Sequence, residues 1–413
     1  MRDSVEFSAV EFKDVDILFS RQTGREGRTA VREALALLDA GGTRSDISDR
    51  YGVIVGVAGA SLSVARGEIS VLMGLSGSGK STLLRAANGL NRVTRGEVLV
   101  RDGESVIDVA NCDAPQMRRL RRERVAMVFQ QFGLLPWRTV RENVGFGLEL
   151  RGEPAAQRRR IVDEKLALVG LSQWAERHVG ELSGGMQQRV GLARAFATDA
   201  EILLMDEPFS ALDPLIRGKL QDELLELQAR VKKTIVFVSH DMDEALRLGD
   251  RITILQNGRI IQTGTAEDIV LAPADDYVAE FVRHMNPLDV LTGGMIMRER
   301  SQMSVDADGG GVWLDDNRRY QLFLNASGEV LELRLDGIAH RVCQVREDAA
   351  IADAERGLAI APASLSLQEI IQLRQITGHP VLLADAGRIL GVCGEAQIIG
   401  ALAGSRKSSP APA

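Results

Sequence analysis

The run EISVLMGLSGSGKSTLLR, residues 68 to 85, constrains this chain more than any other stretch. A short apolar segment leads without a break into GLSGSGKS, from Gly74 to Ser81, which fits the spacing GxxxxGK[ST]. With glycine near ~7% of residues, a chance match in a chain of this size is expected on the order of one or two times in a hundred. The strand-like run ahead of it lowers that figure further. Glycines let backbone N–H groups converge on phosphate oxygens, and the helix that follows turns its positive end toward them. Lys80 reaches the β and γ phosphates, and the hydroxyl of Ser81 is placed to ligate Mg2+. Gly74, Ser76, Gly77, Ser78, Gly79, Lys80, Ser81 and Thr82 therefore form the expected cradle of a nucleoside triphosphate.

The surrounding pattern gives the fold class. EISVLMG, RVAMVFQ, EILLMDE and TIVFVSH are apolar on both faces, as buried strands of a mainly parallel sheet must be, and helical patterns alternate with them from about residue 60 to 265. An α/β core is expected. RITILQNGRIIQTG places Asn257 and Gly258 between two β-rich runs, a hairpin signal. Residues 26 to 50 have helical spacing and interrupt the first β region, so they read as an inserted helical element. Residues from about 132 to 190 read as a helical subdomain.

Beyond about residue 290 the composition changes, with a glycine cluster from Gly309 to Gly311. LFLNASGEVL and VLLADAGRIL share a strand, turn, strand pattern, their glycines Gly328 and Gly387 standing 59 positions apart. The division expected is a nucleotide-binding domain over 1–288, a smaller α+β regulatory domain over 289–402, and a disordered tail over 403–413, SRKSSPAPA being small, polar and proline-bearing.

Several function classes are disfavoured by composition. A net charge of -7 and a pI near 5.5 argue against nucleic acid as the main partner, since duplex binding needs a concentrated basic surface. The one arginine-dense run, Arg118 to Arg124, reads as a solvated helix face. Cys112, Cys343 and Cys393 are odd in number and lack ligand spacing, which points to a reducing compartment without structural zinc. The N-terminus lacks the unbroken apolar core of a signal peptide. The longest uncharged apolar stretch, Gly52 to Ala65, is too short to cross a bilayer, so membrane association is expected through a partner.

Four further elements carry chemistry. EILLMDEP ends an apolar strand in Asp206 and Glu207, whose side chains must point to opposite sides. Asp206 is assigned to the Mg2+ shell and Glu207 to polarising the attacking water. Gln130 ends the strand RVAMVFQ and His240 the strand TIVFVSH, both at the carboxyl edge where open α/β sheets bind ligands. Gln130 is assigned as a sensor of Mg2+ and γ-phosphate, and His240 as a γ-phosphate contact holding water and Glu207 in register. Finally, ELSGGMQQR, residues 181 to 189, opens a helix on a serine and two glycines. Locally that is an N-cap, with Ser183 as the capping residue. Its free N–H groups would attract an anion, yet the loop at Gly74 to Ser81 already surrounds the phosphates. A second cradle is useful if it faces the γ-phosphate of another subunit.

Taken in order, GLSGSGKS, Gln130, LSGGMQ, LLMDEP, SALD and His240 resemble the ATP-binding cassette (ABC) ATPases across most of residues 60 to 245. The resemblance implies that ATP, with Mg2+, is sandwiched between the phosphate loop of one subunit and Ser183, Gly184, Gly185 and Gln187 of its partner in a homodimer. It also implies that Asp213, in SALD, communicates between the two sites. Phe132, Leu134, Leu135 and Trp137 lie beside Gln130 and suggest a docking groove for a partner helix, although about half of them could pack inward; the resemblance to the family's importers implies that the partner is a permease helix.

The helical insertion, MGLSGSGKSTLLR and the extension after FVRHMNPLDVLT are similar to the ATPases of glycine betaine, proline betaine and choline importers, the HMNPLDVLT segment most to choline-type members. Expected partners are then an integral-membrane permease and, through it, a periplasmic or extracellular solute-binding protein, with the chain peripheral at the cytoplasmic face of the bacterial membrane. In that subfamily the extension is commonly a pair of CBS (cystathionine β-synthase) modules. The second half fits that pattern, the first half poorly, and Gly394 and Gln397 stand where nucleotide-binding members carry Ser or Thr and Asp. For the aromatic that stacks on adenine, Phe19 is the candidate and Tyr51 the alternative. Two rival readings stay open: a soluble ABC ATPase acting on nucleic acid or ribosomes, and a regulatory protein whose output is the C-terminal domain.

Overall fold

Burial follows the apolar pattern closely enough that four strands contain almost nothing else. The computed structural model describes residues 8–283, 288, 291–306, 311–345 and 357–402. Most of HMNPLDVLT, two residues of the glycine cluster and the expected disordered tail lie outside them. The chain divides into two compact units, Met1–Ala266 and Glu267–Ala413.

In the first unit, β1 (Ser8–Ser20) is followed by helices α1 (Gly24–Asp39) and α2 (Arg44–Tyr51), then β2 (Val53–Ala65) and β3 (Ile69–Met73). Next come α3 (Lys80–Ala86), β4 (Arg95–Asp102), β5 (Ser105–Asp108), α4 (Ala114–Arg119) and β6 (Val125–Val128). Three helices follow, α5 (Val140–Leu150), α6 (Ala155–Leu168) and α7 (Gly184–Ala197). The unit continues through β7 (Ile202–Asp206), α8 (Pro214–Val231), β8 (Thr234–Val238), α9 (Met242–Leu248), β9 (Arg251–Gln256) and β10 (Arg259–Gly264).

Two sheets result. One is antiparallel, in the order β2-β1-β4-β5, and the other runs β10-β9-β3-β8-β7-β6 with only β10 antiparallel to its neighbour. Every residue of β3, β7 and β8 is buried, as double-sided apolar strands require. Phe12, Val57 and Val98 from the first sheet and Leu72, Leu204 and Val236 from the second share one core with Leu83 and Leu84 of α3. That core fixes the helix that begins at the phosphate loop. The hairpin signal also holds: Asn257 and Gly258 have φ of 50° and 81°, the paired positive values a tight turn between twisted strands needs.

The insertion forms two helices between β1 and β2. Gly27, Ala30, Ala34 and Leu38 of α1 recur at helical spacing and are buried, the last three packing with Ile47 of α2 and with Val53 and Val55 of β2. Arg95 fastens this layer from β4, bonding Asp16 at 2.6 Å and Asp39 at 2.7 and 2.8 Å, and these pairs raise its own pKa. Ile47 is fully buried, so Ile47→Val should cost about 1 kcal/mol of stability, read as a lowered midpoint in urea.

The arginine-dense run is a surface element, but only Arg118 and Arg119 belong to the α-helix and Leu120–Arg124 winds as a wider π-turn. There Arg119 and Arg124 each reach the buried carboxylate of Asp102 at 2.6 Å, so part of the run holds the end of β4.

The second unit contains two more sheets. Residues Ser304–Val305, Val312–Trp313, Tyr320–Leu324, Val330–Leu335 and Ile338–Ala339 form an antiparallel meander. From Leu358 onward the order is strand Leu358–Pro362, helix Leu367–Thr377, strands Val381–Asp385 and Arg388–Cys393, and helix Glu395–Leu402. Both stretches of the internal repeat are hairpins, with Gly328 at φ 85° and Gly387 at φ 84°. They meet where Ile389 N donates to Gly328 O at 3.0 Å.

Candidate functional site

Gly74 and Gly79 are demanded by packing as well as by φ. Gly74 has φ 141° and a Cβ there would stand 2.1 Å from Leu255 O, while at Gly79, φ 104°, it would stand 2.4 Å from Gly56 O. Gly258 N donates to Ser78 O at 2.9 Å, so the β9–β10 turn supports the loop from behind. Lys80 is buried, its Nζ donating to Gly74 O at 2.7 Å and Leu75 O at 3.0 Å. Burial pushes its pKa down, against the opposing pull of Glu207 and Asp206. Ser78 Oγ is buried without a partner. An ammonium resting on carbonyls and an orphaned hydroxyl inside a glycine loop fit a polyphosphate.

The metal assignment fits its residues too. Ser81, the second residue of α3, donates its hydroxyl to Asp206 Oδ1 at 2.6 Å, and Asp206 ends β7 fully buried. A hydroxyl and a hard carboxylate are the donor types Mg2+ takes. Arg85, one turn further along α3, grips Asp206 Oδ2 at 2.6 and 3.1 Å. Sequence reading missed Arg85, although its spacing from Ser81 places both on one helix face.

Gln130, Glu207 and His240 follow β6, β7 and β8, which are neighbours in the sheet, so one edge collects all three. Gln130 and His240 lie two residues past their strands, in the connecting turns. Gln130 Nε2 donates to Glu207 Oε2 at 3.1 Å, and His240 Nδ1 stands 3.6 Å from the same oxygen. Glu207 has φ 50°, a left-handed conformation that costs a non-glycine residue about 1–3 kcal/mol. The surroundings hold it there: its N–H donates to Val238 O at 3.2 Å, and its carbonyl accepts from Gln188 Nε2 and Ser210 Oγ, each at 3.1 Å.

The turn at Ser183 is the helix N-cap that its residues imply. Ser183 caps α7, accepting from Met186 N at 3.4 Å, and Gly184 and Gly185 open the helix. Gln187 spends its amide nitrogen inside its own loop, on Val179 O at 3.0 Å and Leu182 O at 3.1 Å. The neighbour that reaches the turn at Glu207 is Gln188, buried, which also accepts from Ala211 N at 3.1 Å. No hydrogen bond joins Ser183, Gly184 or Gly185 to the phosphate loop among the described residues. Asp213 caps α8, accepting from Ile216 N at 3.1 Å, with its side chain exposed.

Phe19 lies near the end of β1 and is 40% exposed. Across Gly56 it faces Thr82: a Cβ on Gly56 would stand 2.9 Å from the Phe19 ring and 3.0 Å from Thr82 Cγ2. Tyr51 ends α2, where Arg50 lies 5.6 Å from its ring. Of the apolar residues beside Gln130, Trp137 is 71% exposed, whereas Phe132, Leu134 and Leu135 are half-buried.

A profile of the family described as ABC transporter matches residues 57–210, and the chain belongs to that family. The glycine betaine/carnitine transport ATP-binding protein GbuA of Listeria monocytogenes is 40% identical over 380 residues, covering 90% of this chain and 94% of that protein. The glycine betaine transport ATP-binding protein OpuAA of Bacillus subtilis is 46% identical over 297 residues, 72% of this chain and 68% of its own length. The glycine betaine/proline betaine transport ATP-binding protein ProV of Salmonella typhimurium is 49% identical over 267 residues, 65% of this chain; the chain spans 66% of that relative, just under two thirds. Among solved structures, the dimeric post-hydrolysis state of the ATP-binding cassette MJ0796 bound to ADP and Pi matches with a TM-score of 0.52 and 31% identity, over 62% of this chain and 98% of that one.

Proposed function

We propose that this chain is the ATP-hydrolysing subunit of an importer for a quaternary ammonium solute such as glycine betaine, proline betaine or choline. Two copies close around two MgATP and, by closing and reopening, drive an integral-membrane permease served by a solute-binding protein. The observation that carries the reading is the joint placement of Gln130, Glu207 and His240 at one sheet edge, beside a phosphate loop whose Ser81 meets Asp206. The names of the relatives supply the solute class.

The residues divide the work by chemistry. The loop from Gly74 to Thr82 holds the phosphates, with Lys80 moving from loop carbonyls to phosphate oxygens. Ser81 and Asp206, with Gln130, would hold Mg2+, which offsets charge on the β and γ phosphates when bound. Glu207 accepts a hydrogen bond from the attacking water, and His240 keeps that carboxylate and the γ-phosphate in register. Ser183, Gly184 and Gly185 present helix N–H groups to the nucleotide of the partner copy. Gln187 and Asp213 complete that contact across the dimer, and Phe19 stacks on the adenine. Lys80→Ala should weaken ATP binding about tenfold or more, since it removes a charge-assisted contact; calorimetric titration giving wild-type affinity would withdraw the loop assignment.

Trp137 and the residues around it offer an apolar seat for a permease helix. No helix among the described residues is long and apolar enough to cross a membrane, so peripheral attachment at the cytoplasmic face through the permease suits the chain. The segment Leu358–Leu402 is read as one CBS-like module. Within it Gln397 Oε1 accepts from Gly394 N at 3.0 Å, spending the side chain on its own helix start rather than on an adenosine ligand. Uptake of labelled glycine betaine and choline by cells carrying this chain with its permease tests the whole reading. Wild-type cells that accumulate neither solute faster than cells carrying Glu207→Gln would overturn it.

A further inference from the structure

The insertion has so far been a packed layer without chemistry, yet one of its side chains reaches the nucleotide loop. Arg44 is the first residue of α2, and its Nη1 donates to Gly77 O at 3.1 Å. Gly77 lies at the exposed rim of the phosphate loop with φ +78°, and no atom would stand within 4 Å of a Cβ there. The approach from that side is open.

Arg44 has no counter-charge among the described residues, a condition it shares with Arg194, but only Arg44 of the two rests on the phosphate loop. Arg85, Arg95 and Arg124 each hold a carboxylate at 2.6 Å. Arg44 is half-buried, makes no ion pair among the described residues, and has its pKa lowered by burial with no acidic neighbour raising it. A half-buried guanidinium that meets only a backbone carbonyl uses one of five N–H donors and leaves its charge uncompensated. It is also firmly placed. The helix start is fixed by the Thr43–Asp46 capping box, and Ile47, one turn along, sits in the core shared with α1 and β2.

An arginine fork matches phosphate oxygens in geometry and charge far better than it matches a carbonyl. We propose that Arg44 is a nucleotide ligand, the inserted helix pair bringing a guanidinium to the rim of the phosphate loop to take a phosphate oxygen of bound ATP or ADP. The inserted layer is then part of the nucleotide site. This rests on the reading of the loop as an ATP site, and the test separates the two.

The experiment titrates the full chain with MgATP and with MgADP by calorimetry, for wild type, Arg44→Ala, Arg44→Lys and Lys80→Ala, and records nucleotide-free melting temperatures. Expected are a Kd about tenfold higher for both nucleotides in Arg44→Ala, partial recovery in Arg44→Lys, and an unchanged nucleotide-free melting temperature. Wild-type affinity in Arg44→Ala, with Lys80→Ala impaired, overturns the role of Arg44 and leaves the ATP site standing. Weaker binding that comes with a lower melting temperature and no recovery in Arg44→Lys makes Arg44 a brace of the loop and also overturns it. No binding of either nucleotide by the wild type removes both readings at once.

Discussion

Glu207→Gln is expected to lower kcat for ATP hydrolysis about a thousandfold while changing the Kd for ATP less than about threefold. The substitution is nearly isosteric, so the left-handed turn at φ 50° carries the same strain in both proteins. The bonds that hold the turn's backbone, to Val238 O and from Gln188 and Ser210, do not involve the carboxylate. Gln130 Nε2 keeps an acceptor, because an amide oxygen can stand where Oε2 stood. What disappears is the charge that polarises a water. A rate loss can therefore be assigned to chemistry rather than to collapse of the site, and a binding titration on the same preparation checks it. Hydrolysis at the wild-type rate would remove Glu207 from the reaction. Asp206→Asn makes a useful contrast, since Ser81 and Arg85 both depend on that carboxylate and nucleotide binding should suffer along with the rate.

The parts of this site that were legible in the sequence are those whose chemistry is local. A glycine loop after an apolar strand, an acid pair at a strand end and an Asn-Gly turn each state their geometry within ten residues. Long-range consequences were legible only as far as topology is implied: buried strands give a parallel sheet, and its order brings Gln130, Glu207 and His240 to one edge. Side-chain partnerships between distant segments were not. Gln187 and Gln188 are indistinguishable as letters, but a 100° step around α7 turns one toward its own loop and the other toward the carbonyl of Glu207. Arg85 and Arg44 look like ordinary surface arginines until the fold sets them against Asp206 and Gly77. The arginine run misled in part for the same reason, since Asp102 lies 22 positions before Arg124 and nothing local announces their bond. In the second unit the repeat predicted two hairpins, and strand, turn, strand is as much as such a pattern can specify. Whether helices follow depends on later residues; among the described residues the helix Glu395–Leu402 follows the second hairpin.

Gly184→Val should abolish hydrolysis, to about one hundredth of wild type or less, without disturbing the fold or the affinity of a single subunit for ATP. The argument comes from the space around the residue. At most glycines of the phosphate loop a side chain would strike backbone, but at Gly184 a Cβ would meet no atom within 4 Å, and its φ is not in the left-handed range. Nothing in this chain's own packing requires glycine there. It stands at the open N-terminus of α7, capped by Ser183, where bare N–H groups face outward and no bond links them to the chain's own phosphate loop. A glycine that its own subunit could replace freely is explained if a second body approaches to contact distance, and the anion suited to a helix start is the γ-phosphate held by another copy. Valine would keep those N–H groups while denying the approach. The melting temperature and the ATP affinity, both properties of one subunit, should match wild type, whereas turnover and ATP-dependent dimerisation by light scattering should be lost together. A variant that hydrolyses at full rate would mean that each subunit completes its own site, and the glycines after Ser183 would then be no more than the loop of a helix cap.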